Sequence, residues 1–261
     1  MPIKAVHIDL DGVVFVDPNP IPGASEAIAQ LRKVVRVLFV SNATKRTREQ
    51  LAQKSLQLGI PAAAEDFLTA GHLAVRYMAT KKPRARVFLI AEGELDQEMR
   101  AAGLSVTRKE EHADFVFVGY DERTDYKMMN TAMRLIMEGA ELIGGSDLRT
   151  WPSSAGQQLA NGPIVKALEY ATGATAVMMG KPEPSFFKAA LALTQSAPQG
   201  TLFVSDDLLT DIQGAKALGI RTVLVETGTH NTADCERLNI HPDHIVPSLA
   251  DVPALVEKLN A

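Results

Sequence analysis

Short, largely apolar runs alternate along most of the chain with segments that carry apolar residues at helical spacing. In the first and last thirds, the apolar runs predict strands over residues 3–9, 34–40, 201–204 and 220–225. The amphipathic segments between them predict helices over residues 24–33, 46–58, 184–194 and 210–218. Strands that alternate with helices are typical of an α/β fold with a mainly parallel, doubly wound, Rossmann-like sheet.

A second alternation lies between these two parts and begins after Lys81-Lys82-Pro83. It predicts strands over residues 86–90, 115–118, 141–143 and 176–179, and helices over residues 94–102, 126–138 and 163–172. This is enough sequence for a smaller α/β domain of its own. We therefore predict a core formed by residues 1–79 and 180–261, with residues 80–179 inserted as a second domain.

Polar clusters follow several of the predicted strands at comparable places. In an open parallel sheet, ligands bind beyond the carboxyl ends of the strands, so these clusters are expected to converge at one edge. The clusters are Asp9 and Asp11, Ser41 and Asn42, Lys181 between Gly180 and Pro182, and Asp206, Asp207 and Asp211. Each cluster alone has a structural reading as a helix cap or a surface charge. Their shared position is what favours a functional site.

The segment Asp9-Leu10-Asp11-Gly12-Val13 carries the most chemical information, because an apolar run ends in two carboxylates one residue apart. Burying Asp9 at the end of a strand is costly unless a cation or hydrogen bonds compensate its charge. A magnesium ion, which prefers oxygen ligands, would supply that compensation. Gly12 allows a turn that residues with a Cβ resist.

Composition excludes several other classes of protein. The chain has 261 residues and a net charge of -4, with no basic stripe interleaved with aromatic residues, so a nucleic-acid partner is not expected. No apolar stretch is long enough to cross a membrane and no signal-peptide layout is present, so we expect a cytoplasmic protein without a membrane partner. The single Cys235 excludes an internal disulfide and is expected to be a passive side chain on a helix.

These motifs resemble those of the haloacid dehalogenase superfamily, and specifically its NagD-like branch of phosphatases with an inserted α/β cap. Asp9-Leu10-Asp11-Gly12-Val13 is similar to the first motif of the family and Leu38-Phe39-Val40-Ser41-Asn42 to the second. Gly180-Lys181-Pro182-Glu183-Pro184 is similar to the third, and Ser205-Asp206-Asp207 with Thr210-Asp211 to the fourth. The resemblance extends over nearly the whole chain.

The inserted domain resembles most closely that of phospholysine phosphohistidine inorganic pyrophosphate phosphatase and related hydrolase-domain proteins. This likeness is carried by Leu142-Ile143-Gly144-Gly145 through Arg149 and Trp151, and by residues 162–170. Two departures are present. Ser205 stands where the family usually has glycine, and the cap lacks the Ala-Thr-Asn-x-Asp string of the sugar- and nucleotide-phosphatase members. The second departure argues against transferring the substrates of those members.

The resemblance implies a mechanism that agrees with the chemistry of phosphate esters. Asp9 would attack phosphorus to form an aspartyl-phosphate, and Asp11 would act as general acid and then general base. Mg²⁺ would be held by the Asp9 carboxylate, the Asp11 main-chain carbonyl and Asp206. The phosphate group would be bound by Ser41, Asn42 and Lys181. By analogy with the family, Asp207 and Asp211 would orient Lys181 or metal-bound water.

The aspartate at position 11 favours cleavage of esters with poor leaving groups, because such groups need a proton donor. A nucleotide-driven kinase is not supported, since Pro182 stands where a Walker loop requires serine or threonine. Two alternatives stay open: a phosphotransferase that uses the same intermediate, and a catalytically idle binding module on the same scaffold. The cap residues are expected to select the substrate, a small phosphorylated metabolite.

Arg149 and Trp151 lie on a stretch that we predict to be irregular. There a guanidinium would bind an anionic group of the substrate and an indole would stack on it. Structural readings stay open beside these, a solvated Arg149 and a Trp151 that fills the cap core. The charged loop of residues 121–125 is a further candidate for substrate binding. The resembled branch often dimerises, so a homodimer is a further expectation.

Overall fold

The apolar run at the start of the chain forms strand β1 (Ala5–Asp9), whose five residues are all buried. In this computed structural model, residues 1–153 and 156–261 are described. The chain groups into two compact units. The first consists of Met1–Ser41, Arg48–Leu68 and Lys181–Ala261, and the second of Asn42–Thr47 and Thr69–Gly180.

The first unit is built on a six-stranded sheet in the order β15-β14-β13-β1-β4-β5. Its other strands are β4 (Arg36–Ser41), β5 (Phe67–Thr69), β13 (Thr201–Ser205), β14 (Arg221–Val225) and β15 (His244–Val246). The pairings of β1 with β4 and β13, of β13 with β14 and of β14 with β15 are all parallel. A short antiparallel hairpin, β2 (Phe15–Val16) and β3 (Asn19–Pro20), follows β1.

Six helices belong to the first unit: α1 (Ala24–Leu31), α2 (Arg48–Gln57), α7 (Pro184–Thr194), α8 (Gln213–Ala217), α9 (Thr232–Leu238) and α10 (Val252–Asn260). A π-helical turn, Leu208–Ile212, precedes α8 directly. One buried cluster includes Ile8, Phe39 and Val204 from the three central strands and Leu31 from α1. Phe187 from α7 packs against Phe203 from β13, and its neighbour Phe186 packs edge-on against Phe187.

The second unit contains a five-stranded parallel sheet in the order β12-β9-β8-β6-β7. Its strands are β6 (Arg86–Ile90), β7 (Ser105–Thr107), β8 (Phe115–Val118), β9 (Glu141–Gly144) and β12 (Val177–Met178). Its helices are α3 (Ala70–Lys81), α4 (Leu95–Ala101), α5 (Tyr126–Met137) and α6 (Asn161–Thr172). An antiparallel hairpin of β10 (Thr150–Ser153) and β11 (Gly156–Leu159) lies between β9 and α6.

The predicted fold class is confirmed: a doubly wound parallel α/β core with an inserted α/β domain. The structure differs from the predicted boundaries at residues 69–79, which we assigned to the core. Helix α3 groups with the second unit, because Ala74, Val75 and Met78 on its buried face pack against Val87 and other residues of that unit's core. Residues 42–47 also group with the second unit.

The prediction of an irregular stretch around Trp151 was wrong. Trp151 lies in β10 and pairs with Gln158 of β11. Proline at 152 obscured the strand pattern, although proline is tolerated in a strand at a sheet edge. Arg149 does precede the hairpin in irregular backbone, as predicted, and it is exposed.

Cys235 lies on a helix, α9, as the sequence predicted, and its side chain is buried. Burial raises the pKa of its thiol above the usual value, which lowers its reactivity. Within the part of the chain that the structure describes, no helix combines the length and the apolar character that a membrane span needs.

Candidate active site

The register of the central strands explains why three predicted clusters meet. Asp9 lies opposite Val40 of β4, and Ile8 lies opposite Val204 of β13. Because these strands are parallel, the residues that end them, Asp9, Ser41 and Ser205, share the carboxyl edge of the sheet. All three are buried. The sequence predicted this edge as the location of the site.

Lys181 brings two of the predicted carboxylates together. Its Nζ donates hydrogen bonds to Asp9 Oδ1 and to Asp211 Oδ2, each at 2.6 Å. Lys181 is only 2% exposed and Asp211 only 1%. Its ammonium also lies 5.9 Å from the ring centroid of Phe203, at the outer limit of a cation–π contact. These residues come from positions 172 apart along the chain, and the fold places them in one buried charged group.

The Asp211 carboxylate receives hydrogen bonds on both oxygens. Oδ2 accepts a second hydrogen bond, from Ser205 Oγ at 2.7 Å, and Oδ1 accepts one from Thr210 Oγ1 at 2.9 Å. A buried carboxylate that is satisfied in this way is held in one orientation. Asp211 is therefore held where it accepts the hydrogen bond from Lys181, and its expected role in orienting Lys181 for the reaction stays a prediction.

Asp207 has a different place from Asp211. Its Oδ1 accepts hydrogen bonds from the main-chain N–H groups of Leu209 and Thr210, and so caps the π-helical turn that carries Asp211. Its negative charge raises the pKa values of Asp206 and Asp211, but less than burial does. Asp207 thus acts on the site by shaping the turn and by its charge.

Asp206 is held by a turn that the sequence reading did not single out. Its Oδ2 accepts a hydrogen bond from the main-chain N–H of Thr229 at 2.6 Å. A Cβ placed on Gly12 or on Gly228 would overlap this carboxylate, so both positions require glycine for the close approach. The turn of residues 226–229 directly follows β14, so its position after a strand was a signal that could have revealed it.

The pKa values of the site reflect burial and crowded charges. Burial raises the pKa of Asp9 well above its usual range, Lys181 opposes this, and Asp211 and Asp206 add to the rise. Burial also raises the pKa of Asp206 to about 6, although the hydrogen bonds from Thr229 act to lower it. Burial alone would lower the pKa of Lys181, but Asp211 and Asp9 raise it above the usual value. The ammonium is therefore charged throughout the physiological range.

The residues present fit a divalent cation. Asp9, Asp206 and Asp211 are three buried carboxylates, and within this group Lys181 supplies a single positive charge. The glycines around Asp206 leave its carboxylate uncrowded, and hard oxygen donors are what Mg²⁺ prefers. Among the described residues, no group of three His, Cys, Asp or Glu side chains is arranged to hold a metal. The metal ligands predicted from the sequence include only two side chains, those of Asp9 and Asp206, because the third ligand is the main-chain carbonyl of Asp11.

Two further predicted site residues, Asp11 and Ser41, differ in exposure. Asp11 is exposed and lies in the turn where the N–H groups of Val14 and Phe15 bond to Leu10 O. Ser41, the last residue of β4, is 4% exposed. An exposed carboxyl group next to a buried one is suited to exchange protons with a substrate and with water.

Asn42, Arg149 and Trp151 belong to the second unit. A Cβ on Gly180 would overlap Asn42 Oδ1, which shows how closely that side chain approaches the main chain. Trp151 is half-buried and packs edge-on against Tyr120, with 5.5 Å between ring centroids. The roles of these three residues in binding stay predictions.

Two family models match the chain. One is described as a haloacid dehalogenase-like hydrolase and matches residues 6–105, which include the first two motifs. The other is described as HAD-hydrolase-like and matches residues 178–252, which include Lys181, Asp206 and Asp211.

Curated relatives match almost the full length of the chain. The haloacid dehalogenase-like hydrolase domain-containing protein 2 of Rattus norvegicus is 34% identical over 242 residues, which are 92% of this chain and 90% of the relative. The acid sugar phosphatase of Staphylococcus aureus strain USA300 is 30% identical over 256 residues, 98% of each chain.

Solved structures of phosphatases share the fold. A p-nitrophenyl phosphatase from Archaeoglobus fulgidus has a TM-score of 0.91 and 29% identity, and the match covers 98% of this chain and 100% of the phosphatase chain. NagD from Escherichia coli K-12 has a TM-score of 0.86 and 27% identity over 96% and 98% of the two chains. A glycerol phosphate phosphatase from Mycobacterium tuberculosis in complex with magnesium has a TM-score of 0.85 and 32% identity. The match covers 95% of this chain and 75% of the other chain. The chain therefore belongs to the haloacid dehalogenase-like hydrolases, in their NagD-like branch of phosphatases.

Proposed function

We propose that this protein is a magnesium-dependent phosphatase that hydrolyses a small phosphorylated metabolite through an aspartyl-phosphate on Asp9. The observation that carries the proposal is the buried ion pair of Lys181 with Asp9, held in turn by Asp211. Relatives named as phosphatases of p-nitrophenyl phosphate, glycerol phosphate and acid sugars support the same reaction class. Together they favour a phosphoric monoester as the substrate.

Asp9 is the nucleophile of the proposed reaction. One of its carboxylate oxygens forms a bond to phosphorus while the bond from phosphorus to the leaving oxygen breaks. Lys181, hydrogen-bonded to Asp9 Oδ1, neutralises charge on the nucleophile and on the phosphate oxygens. The buried position of Asp9 excludes bulk water, which strengthens this attraction.

Asp11 moves the protons. In the first step it donates a proton to the leaving oxygen, and in the second it accepts a proton from the water that attacks the aspartyl-phosphate. Inorganic phosphate then leaves, and both aspartates return to their starting states. The exposure of Asp11 allows both transfers.

The Asp9 carboxylate, the Asp11 main-chain carbonyl and Asp206 are the residues that would hold Mg²⁺. When bound, the ion supplies positive charge that keeps the buried carboxylates ionised and stabilises the charge on the transferred group. Ser41 would donate a hydrogen bond to the phosphate, and Asn42 is the further phosphate-binding residue expected from the second motif.

The first prediction tests Asp9. Wild-type protein should hydrolyse p-nitrophenyl phosphate only with a divalent metal, and Asp9→Asn should abolish turnover, because the substitution removes both the nucleophilic charge and a metal ligand. Steady-state assays with Mg²⁺ and with a chelator provide the measurement, and circular dichroism confirms the fold. Asp17→Asn is a matched control that changes the same charge in the turn between β2 and β3. Substantial turnover by folded Asp9→Asn would exclude the mechanism.

Two further measurements separate this proposal from the alternatives. When an alcohol acceptor is added, a phosphotransferase would give a phosphorylated alcohol. A phosphatase would instead release one inorganic phosphate for each molecule of leaving group. An idle binding module would show no magnesium-dependent turnover of the aryl phosphate at all. A screen of phosphorylated metabolites with purified protein then identifies the substrate.

A further inference from the structure

Ser205 occupies an unusual place in the site because its hydroxyl group joins two loops. It is the last residue of β13 and is fully buried. Its Oγ donates a hydrogen bond to Asp211 Oδ2 at 2.7 Å and accepts one from the main-chain N–H of Asp207 at 3.1 Å. A hydroxyl group has one proton to donate, and here the N–H of Asp207 occupies an acceptor position. The proton of Ser205 is thus directed to Asp211.

The oxygen that Ser205 contacts is the one that binds Lys181. Asp211 Oδ2 accepts from both Ser205 Oγ and Lys181 Nζ, whereas Oδ1 accepts from Thr210 Oγ1. Lys181 in turn shares its ammonium between this oxygen and Asp9 Oδ1, with equal distances of 2.6 Å. The ammonium has three N–H donors, so it binds Asp211 and Asp9 together, and its position between them depends on how strongly each carboxylate attracts it.

We infer that Ser205 is a positioning residue that acts through Asp211 to keep Lys181 directed at Asp9 and at the phosphate group. The inference rests on the proposed function, since it concerns how that site binds phosphate. A carboxylate oxygen that already accepts a hydroxyl proton attracts a neighbouring ammonium less strongly. Without the Ser205 hydroxyl, Asp211 Oδ2 attracts Lys181 more strongly, and Lys181 binds an incoming phosphate group less well.

The decisive measurement is the affinity for inorganic phosphate, determined by titration calorimetry in the presence of Mg²⁺. Ser205→Ala should weaken phosphate binding about tenfold, the lower end of the range for losing a hydrogen bond to a charged group. Steady-state assays should show the inhibition constant of phosphate rising in parallel. A merely structural role would reduce the fraction of active protein, and so kcat, while leaving phosphate affinity unchanged.

Thr201→Val is a matched control on the same strand. Thr201 is also fully buried, and its Oγ1 lies at hydrogen-bond distance from Ser196 Oγ (2.8 Å) and from Ala197 O (2.9 Å), at the opposite end of β13. This variant should lose stability through its missing hydroxyl yet keep phosphate affinity within about twofold, as expected for an independent site. Ser205→Thr retains the hydroxyl and should bind phosphate more tightly than Ser205→Ala.

A double-mutant cycle tests whether Ser205 acts through Asp211. In an Asp211→Asn background, adding Ser205→Ala should change phosphate affinity by less than about twofold, because the oxygen that Ser205 modulates is no longer charged. An unchanged affinity in Ser205→Ala, or an equal loss in both backgrounds, would overturn the inference while leaving the proposed function intact. If Ser205→Ala does not fold, Ser205→Gly takes its place. Wild-type protein that neither binds phosphate nor hydrolyses p-nitrophenyl phosphate would refute both the inference and the proposed function.

Discussion

At the scale of single residues, the two aspartates of the first motif differ mainly in their exposure to water. Asp9 is buried against Lys181, whereas Asp11, two positions later, is exposed in the following turn. Burial suits a nucleophile that must attack a dry phosphorus centre, and exposure suits a group that exchanges protons. The sequence placed both residues in one motif, but only the fold separates their environments.

The role of Asp11 leads to a prediction that depends on the leaving group. An alkyl phosphate expels a basic alkoxide that needs a proton, whereas acetyl phosphate expels a carboxylate that does not. Asp11→Asn should therefore slow formation of the aspartyl-phosphate from alkyl esters about a hundredfold to ten-thousandfold more than from acetyl phosphate. Single-turnover phosphorylation is the measurement.

Steady-state turnover is unsuitable here, because in the proposed mechanism Asp11 also assists hydrolysis of the intermediate, so its loss would slow the turnover of every substrate. Equal slowing of the phosphorylation step for both compounds would show that Asp11 positions the nucleophile or the metal. The assignment as general acid would then be withdrawn.

At the scale of elements, the loop between β8 and α5 shows how a charged segment can serve the fold. Asp121, which the sequence placed in a candidate substrate loop, has a side chain with no exposure. It accepts hydrogen bonds from Arg123 Nε at 3.0 Å and Nη2 at 3.2 Å, and from Arg108 Nη1 at 3.4 Å. These contacts fix the loop, and they place Asp121 in a structural role.

Asp121 predicts a pH dependence of stability. Burial would raise the pKa of its carboxyl, but Arg123 and Arg108 more than offset this and hold the pKa below its usual value. A carboxyl whose pKa is lowered on folding stabilises the protein above the unfolded value, near pH 4, and this contribution is lost as the pH falls below about 4. Asp121→Asn should thus be less stable at pH 7 by roughly 1–3 kcal/mol.

Urea unfolding between pH 7 and about pH 2.5 measures this effect, because the wild type should lose stability below about pH 4 more steeply than Asp121→Asn. Asp147→Asn serves as the control, since its side chain belongs to the same unit but is exposed. Parallel pH profiles for the wild type and Asp121→Asn would show that Asp121 titrates with the same pKa in the folded and unfolded chain.

At the scale of the whole molecule, a mild net charge conceals a strong local imbalance. The chain carries only -4, yet Lys181 pairs with two buried carboxylates, Asp9 and Asp211, and the charge of a third, Asp206, acts on Asp9. Buried like charges repel one another, and a bound cation would offset that repulsion. Folding and metal binding are therefore expected to be coupled.

Mg²⁺ should accordingly raise the thermal stability of the protein, because the ion binds the native site and the unfolded chain offers none. When the free Mg²⁺ concentration is a hundred times the dissociation constant, the free energy of unfolding rises by about 2.7 kcal/mol. For units of this size that corresponds to roughly 5–10 °C in the unfolding midpoint. Calorimetric scans with Mg²⁺ and with a chelator measure it.

Asp206→Asn provides the comparison, since it removes a proposed ligand while retaining an acceptor for the N–H of Thr229. This variant should lose most of the magnesium-dependent shift. A shift of the same size in both proteins would place the bound ion elsewhere.

Much of the fold was accessible from local pattern. Helix α7 begins at Pro184 and ends at Thr194 as predicted, because proline favours the first turn and apolar residues recur at helical spacing. Helix α3 was not predicted, although Thr69 caps it by accepting from the N–H of His72 and its buried residues recur four apart. The hairpin of β10 and β11 was missed because proline and polar residues hide its alternation.

The sequence by itself determined the α/β class, the four motifs and the carboxyl edge at which they meet, since periodicity and strand ends are local properties of the chain. Tertiary structure alone decided which oxygens share the Lys181 ammonium, the place of the Ser205 hydroxyl and the turn that holds Asp206. Hydrogen bonds are directional and require atoms within about 3 Å. Contacts between residues as distant as Asp9 and Lys181 therefore depend on strand register and side-chain packing, which the pattern of apolar and polar positions does not encode.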